Sequence, residues 1–159
     1  MRLKTLLGTL TATAAAAAAG SAVTDPGSDW YRSLDTPSWQ PPPLAYPLVW
    51  TPLYLDVAVT SAHVLETLSE AGRTDAARRY RRALGLNLVL NAGWNALFFA
   101  AHRPGLASVE CAALTVSSVD LTRRAAQADG RSAAALAPYA AWCGFATVLT
   151  VAIARRNRR

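Results

Sequence analysis

PPPLAYPLVWTPLYLDVAVTSAHVL, residues 41–65, is the stretch on which the reading of the whole chain turns. Its first ten residues hold four of the nine prolines and end on Trp50. Proline fixes φ and brings no backbone donor, so Pro41-Pro42-Pro43 reads as a stiff, extended connector. The remainder of the stretch is almost wholly apolar. Residues 46–68 reach the ~20 residues a helix needs to cross a hydrocarbon core about 30 Å thick. The segment therefore reads as a membrane helix entered through a rigid lid, although Asp56, His63 and Glu66 interrupt it.

The composition agrees. Hydrophobic residues make up 52% of the 159 residues and charged ones 16%, against roughly 25% charged in an average soluble domain. The charges gather in clusters at Arg73–Arg82, Arg123–Arg131 and Arg155–Arg159, with apolar stretches between them. The net charge of +6 is not arranged as a basic stripe interleaved with base-stacking aromatics, which argues against nucleic acid as a partner. Arginines bracketing apolar runs are membrane-flanking anchors. Cys111 and Cys143 both sit inside apolar stretches and read as buried small hydrophobes rather than as a disulfide or metal pair.

Five stretches are candidate spans, about 3–23, 46–68, 84–101, 105–121 and 133–154, joined in one domain over 1–159 with the loop 24–45 as a lid. Alanine and leucine dominate and β-barrel alternation is absent, so the expected fold is all-α, a five-transmembrane-helix bundle. The first span reads two ways. Arg2, Lys4 and the small-residue run Ala19–Ala22 suit a cleavable signal peptide as well as a retained helix. With five spans, Lys and Arg number ten on the N-terminal side and six on the other. That places the N-terminus inside and the proline-rich loop outside, against the pull of the arginine-rich tail.

Polar and aromatic residues within the spans carry the functional question. Tyr46, Trp50 and Tyr54 are spaced i, i+4, i+8 and share one helix face, which meets either lipid or a cavity. Asn87, Asn91 and Asn95 form a stripe that must face the bundle interior, for interhelical hydrogen bonds or for a ligand. Asp56, Thr60 and His63 make a second stripe, and Glu110 stands alone. Ionisable groups at membrane depth are costly and point to function. A proton relay through Asp56 and His63 is one reading, but sequence leaves its geometry open. No P-loop, nucleophile elbow, zincin or dinucleotide-binding motif occurs. Neither catalytic nor metal-ligating residues are assigned.

A more specific pattern runs through the chain: Trp30-Tyr31, Leu34, Pro37-Ser38-Trp39-Gln40-Pro41-Pro42, Val49-Trp50, Leu53-Tyr54, Leu90-Asn91, Trp94, Phe98-Phe99, Pro138-Tyr139, Ala141-Trp142, Phe145-Ala146-Thr147 and Leu149. It resembles the signature of the TspO/MBR family, the tryptophan-rich sensory proteins and translocator proteins, over roughly residues 30–150. The resemblance implies a five-helix bundle, usually a homodimer in a lipid bilayer. It also implies a pocket beneath the first loop that takes tetrapyrroles such as protoporphyrin IX or haem as ligand rather than cofactor. It favours a retained first helix. By the same resemblance the pocket is lined by Tyr31 and Pro41 of the loop, Tyr46, Trp50 and Tyr54, Asn91 and Trp94, Cys111, and Trp142 and Ala146, with Ser21 a weaker assignment. The implied function is an integral membrane receptor or transporter for tetrapyrroles with a sensory or regulatory role, in a bacterial cytoplasmic membrane. The alternatives are light-dependent porphyrin degradation, for which Trp50 and Trp142 would be the oxidised indoles, and a membrane protein without the ligand. Departures from the pattern include Ala58 and Thr60 for glycines, Ala92 for a tryptophan, Leu149-Thr150 for Leu-Asn, and the charged Asp56 and His63. The sterol-recognition pattern is absent.

Overall fold

The computed structural model describes residues 2–158, and among these all regular structure is helical. The order is α1 (Leu3–Val23), α2 (Asp29–Arg32), α3 (Ala45–Glu70), α4 (Thr74–Asn95), α5 (Pro104–Ala125) and α6 (Gly130–Arg156). The expected five helices thus become six among the described residues, because one turn of helix forms inside the loop 24–45. Ser28 starts that turn by accepting a hydrogen bond from the Tyr31 N–H at 3.3 Å, an N-cap.

Four helices are long and apolar enough to cross a membrane: α1, α3, α4 with its continuation to Ala100, and α6. Helix α5 matches them in length, with 22 residues, but Glu110, Asp120, Arg123 and Arg124 lower its hydropathy. The bounds also shift. Helix α4 starts at Thr74 rather than near 84, because alanine and arginine are good helix formers and carry the helix through the charged cluster.

The turns explain where the helices stop. Gly72 adopts φ +71°. The Arg73 N–H reaches the Leu68 carbonyl at 2.8 Å and the Gly72 N–H reaches that of Ser69 at 3.1 Å, a Schellman ending that reverses the chain into α4. Helix α4 ends in a π-helical turn, Ala96–Ala100, where the Ala101 N–H bonds the Ala96 carbonyl at 2.8 Å. His102 comes next, in the left-handed region at φ 54°, and Pro104 opens α5, where its missing N–H costs nothing. Asp129 caps α6 by accepting from the Ser132 N–H at 2.8 Å.

Helices α3, α4, α5 and α6 form a ring, closed by α3 against α6, and α1 lies over the α3–α4 seam. Helix α1 buries only Thr9, Thr13 and Gly20. It is held by its fit instead: a Cβ on Gly20 would stand 2.8 Å from Asn95 Nδ2, and the Arg2 N–H donates to the Glu66 carboxylate. The main core lies away from the lid, built on Val57, Val64, Leu68, Tyr80, Leu121, Leu136 and Tyr139. A smaller cluster, on Phe98, Ala107, Leu149 and Ile153, lies beneath the lid.

Candidate functional site

Between the two clusters the bundle is hollow. The cavity holds about 480 Å³, within the range of about 300–1,000 Å³ usual for small-molecule sites.

Its roof is the loop before α3, pinned at three places. Trp30 stacks on His102 with ring centroids 4.2 Å apart and meets Phe98 edge-on at 5.4 Å. The Asp35 N–H donates to Asn157 Oδ1 at 3.0 Å, and the Asn157 amide returns a bond to the Asp35 carbonyl at 2.9 Å. Trp39 lies against Phe145 at 6.0 Å, while Gln40 Nε2 donates to the Tyr31 hydroxyl at 3.0 Å. Proline then brings the chain down: the Ala45 N–H bonds the Pro42 carbonyl at 2.9 Å as α3 begins.

The walls come from every long helix. Nine of the ten residues expected at the pocket line it: Tyr31, Tyr46, Trp50, Tyr54, Asn91, Trp94, Cys111, Trp142 and Ala146. Pro41 does not; Pro43, two residues nearer α3, lines the cavity from the same run. Of the three prolines in the run, only Pro43 lines the cavity. Ser21 of α1 is also in the wall. The Tyr46–Trp50–Tyr54 face, left open between lipid and cavity by its spacing, turns inward. Trp50 stacks on Tyr54 at 5.2 Å and presents its edge to Trp142 at 6.4 Å. Trp94 stacks on Phe98 at 5.3 Å, and its indole N–H donates to Thr150 Oγ1 at 3.3 Å. The Trp142 indole nitrogen is buried without a partner among the described residues. A buried donor of that kind is uncommon in a finished core and calls for an acceptor. Among the described residues, the lining side chains include no Asp, Glu, Lys, Arg or His.

The floor is a hydrogen-bonded belt. The Tyr54 hydroxyl donates to Asn91 Oδ1 at 2.5 Å, and Asn91 Nδ2 donates to the Tyr139 hydroxyl at 3.3 Å. Tyr139 donates to Asn87 Oδ1 at 2.7 Å, and Asn87 Nδ2 donates to Ser118 Oγ at 3.0 Å. Helices α3, α4, α5 and α6 are joined in one chain of bonds. For Asn87 and Asn91 the asparagine stripe serves interhelical bonding. Asn95 sits at the cavity edge, where its side chain receives the Thr24 hydroxyl at 3.0 Å.

Sequence reasoning left out of the pocket Thr24, Pro26, Pro43, Asn95, Leu114, Phe98, Phe99, Phe145 and Thr150, all of which line it. The signals were present for Phe98, Phe99 and Phe145, which are part of the family pattern, and for Asn95, the third member of its stripe. Asp56, His63 and Glu110 lie outside the cavity. Asp56 receives the Thr60 hydroxyl at 2.9 Å. His63, more than half exposed, pairs with Asp129 at 3.2 Å at the start of α6. The Ser132 N–H and hydroxyl, and then His63, hold the Asp129 carboxyl below its usual range. Glu110 turns toward Gly93 of α4.

An apolar helix bundle hollowed under a proline-rich, aromatic-pinned roof is an integral membrane protein with an internal cavity. Residues 9–156 match the TspO/MBR family, and the chain belongs to it. It is 31% identical over 140 residues to the tryptophan-rich protein TspO of Chlorobaculum tepidum, covering 87% of each chain. It is 34% identical over 134 residues to the translocator protein of Homo sapiens, covering 82% of this chain and 76% of that protein. The tryptophan-rich sensory protein of Cereibacter sphaeroides is 27% identical over 129 residues, with 81% and 77% covered.

Proposed function

We propose that the protein is a receptor or transporter that binds a flat, apolar tetrapyrrole, protoporphyrin IX or haem, in the roofed cavity. One observation carries the reading: the Trp50–Tyr54 stack and Trp142, in edge-to-face contact at 6.4 Å, form one aromatic wall of a cavity lined, among the described residues, by uncharged side chains. Planar side chains offer a macrocycle stacking surface worth about 0.5–1.5 kcal/mol per ring pair beyond simple burial. The unpartnered Trp142 N–H supplies a donor for an acceptor on the ligand's edge. Membership in a family with sensory and translocator proteins supports a sensory or transport role.

The same reading includes α5 as a fifth span, since it is as long as its neighbours and completes the ring. Outward-facing Leu86, Val89, Val109 and Val116 then meet acyl chains of a bacterial cytoplasmic membrane or a second copy in a homodimer.

The test is a titration of the purified protein with protoporphyrin IX, following tryptophan emission and porphyrin absorbance. Saturable quenching is expected, together with its loss in the double variant Trp50→Phe/Trp142→Phe. Quenching no stronger than that given by an unrelated helix bundle would overturn the proposal. A new absorbing product formed only under illumination would instead assign porphyrin degradation to the same cavity.

A further inference from the structure

A second polar feature lies outside the cavity. On α3, Asp56, Thr60 and His63 share one stripe at i, i+4 and i+7. The His63 bond to Asp129 turns that stripe toward the start of α6. Asp56 stands near the middle of α3, at membrane depth. One of its oxygens receives the Thr60 hydroxyl at 2.9 Å, and the other is buried with no partner among the described residues. Thr60 is itself buried. His63, one turn further on and about 10 Å from Asp56 along the axis, is exposed at the end of the bundle. There Asp129 Oδ2 receives both His63 Nε2 at 3.2 Å and the Ser132 hydroxyl at 2.9 Å. The stripe thus runs from a carboxyl with one buried, unpartnered oxygen to an exposed imidazole–carboxylate pair at the start of α6.

An acid at this depth is costly as an anion and needs a proton or a counter-charge. Among the described residues, no cation is paired with it. From α4 the titratable group turned toward Asp56 is Tyr80, whose hydroxyl is engaged with Ser61 at 2.9 Å. Helix α1 meets α3 on another face, through Arg2 and Glu66, and its one ionisable residue is Lys4. The charges near the outer end of the stripe are Asp129 and Arg131 of α6, and Arg73, which is bonded to the Gln127 carbonyl at 2.5 Å.

We propose that Asp56 is a proton-binding site of the bundle, loaded through Thr60, His63 and Asp129 from the end opposite the lid. The proton arrives at the His63–Asp129 pair and is handed across the one-turn gap to Thr60, a distance that a single water spans. The Thr60 hydroxyl passes its own proton to Asp56 as it accepts the incoming one, so the hydroxyl is unchanged and the carboxylate becomes a neutral acid. Charge enters the membrane only as a proton already matched to its carboxylate. The device works whatever occupies the cavity.

The experiment uses the full chain in lipid vesicles and infrared difference spectra across pH steps. In a Glu110→Gln background, which removes the other buried unpartnered carboxyl, a carboxylic-acid carbonyl band that titrates is expected, and it should vanish when Asp56→Asn is added. After a rapid pH drop, the band is expected to appear at least about tenfold more slowly in His63→Ala and in Asp129→Ser; Ser preserves the α6 cap. Added imidazole should restore the rate in His63→Ala. Should Asp56→Asn fail to fold, Asp56→Glu keeps the acid and is expected to shift the band. In that Glu110→Gln background, a band that persists with Asp56→Asn, does not move with Asp56→Glu, or forms at the unmodified rate with both His63→Ala and Asp129→Ser would overturn the proposal.

Discussion

The same helices build two unlike halves. Away from the lid, Val57, Val64, Leu68, Tyr80, Leu121, Leu136 and Tyr139 are all buried to within 1%. They are mostly aliphatic, and branched side chains from facing helices interdigitate to close-packed density. Under the lid the facing positions hold Trp50, Trp94, Trp142, Tyr46, Tyr54 and Phe145, and the result is a cavity of about 480 Å³. Large rigid planes meet edge-on or in offset stacks and leave space that branched side chains would fill. The Tyr54–Asn91–Tyr139–Asn87 belt divides the two regions. A change from branched to planar residues along the same helices thus accompanies the change from a packed core to a cavity.

The sharpest way to break this contrast is to truncate one large side chain in each half. Tyr80→Ala opens a void in the packed half and is expected to cost about 3–5 kcal/mol. Trp142→Ala removes a ring that already borders open space, and is expected to cost less than half as much. Unfolding in mixed detergent micelles, tracked by circular dichroism, measures both. Equal losses would mean that the upper half is packed as tightly as the lower.

A smaller effect tests the belt. Asn87→Leu leaves the Tyr139 hydroxyl without its acceptor and Ser118 without its amide donor. The expected loss is about 1–2 kcal/mol, and protoporphyrin affinity should fall as the floor loosens. If affinity stays at the wild-type value, the belt is only a boundary and does not shape the cavity. Gly20→Ala presses on the cavity edge, where the new Cβ meets the Asn95 amide at 2.8 Å. About 1 kcal/mol is expected, and Asn95→Ala in the same chain should relieve it, as a double-mutant cycle would show.

Much of this was legible in the sequence, for uneven reasons. Span positions came from hydropathy, because in lipid a long apolar run has few alternatives to helix. The inward turn of Tyr46, Trp50 and Tyr54 did not come from spacing, which puts them on one face without saying which. The resemblance resolved that, and also brought in Cys111 and Ala146, which carry no signal of their own. Pro41 was misplaced by two residues because the run of prolines hides its own direction. The His63 partner, Asp129, is 66 residues away in sequence, and hydropathy along α3 cannot see it. The π-helical turn at Ala96–Ala100, which aims Phe98 and Phe99 at the cavity, has no signature in a window that reads as regular helix.

The smallest expected effect concerns the far end of the packed half. Asp129 caps α6 through Ser132, and those bonds hold its carboxyl below the usual range. A depressed acid stabilises the fold fully above its unfolded value, about 3.9, and that contribution is lost as pH falls through the folded value. Acidification below about pH 4 should therefore loosen the first turn of α6 and its contact with His63. Asp129→Asn retains a capping oxygen but cannot titrate there, so its stability should depend less steeply on pH over that window. Hydrogen exchange locates the change. Amides near Gly130–Ser132 should lose protection in acid, while those near Leu149–Ile153, under the lid, keep theirs. Loosening spread evenly along α6 would show that the two halves unfold as one unit, and the division drawn at the belt would then be one of packing alone.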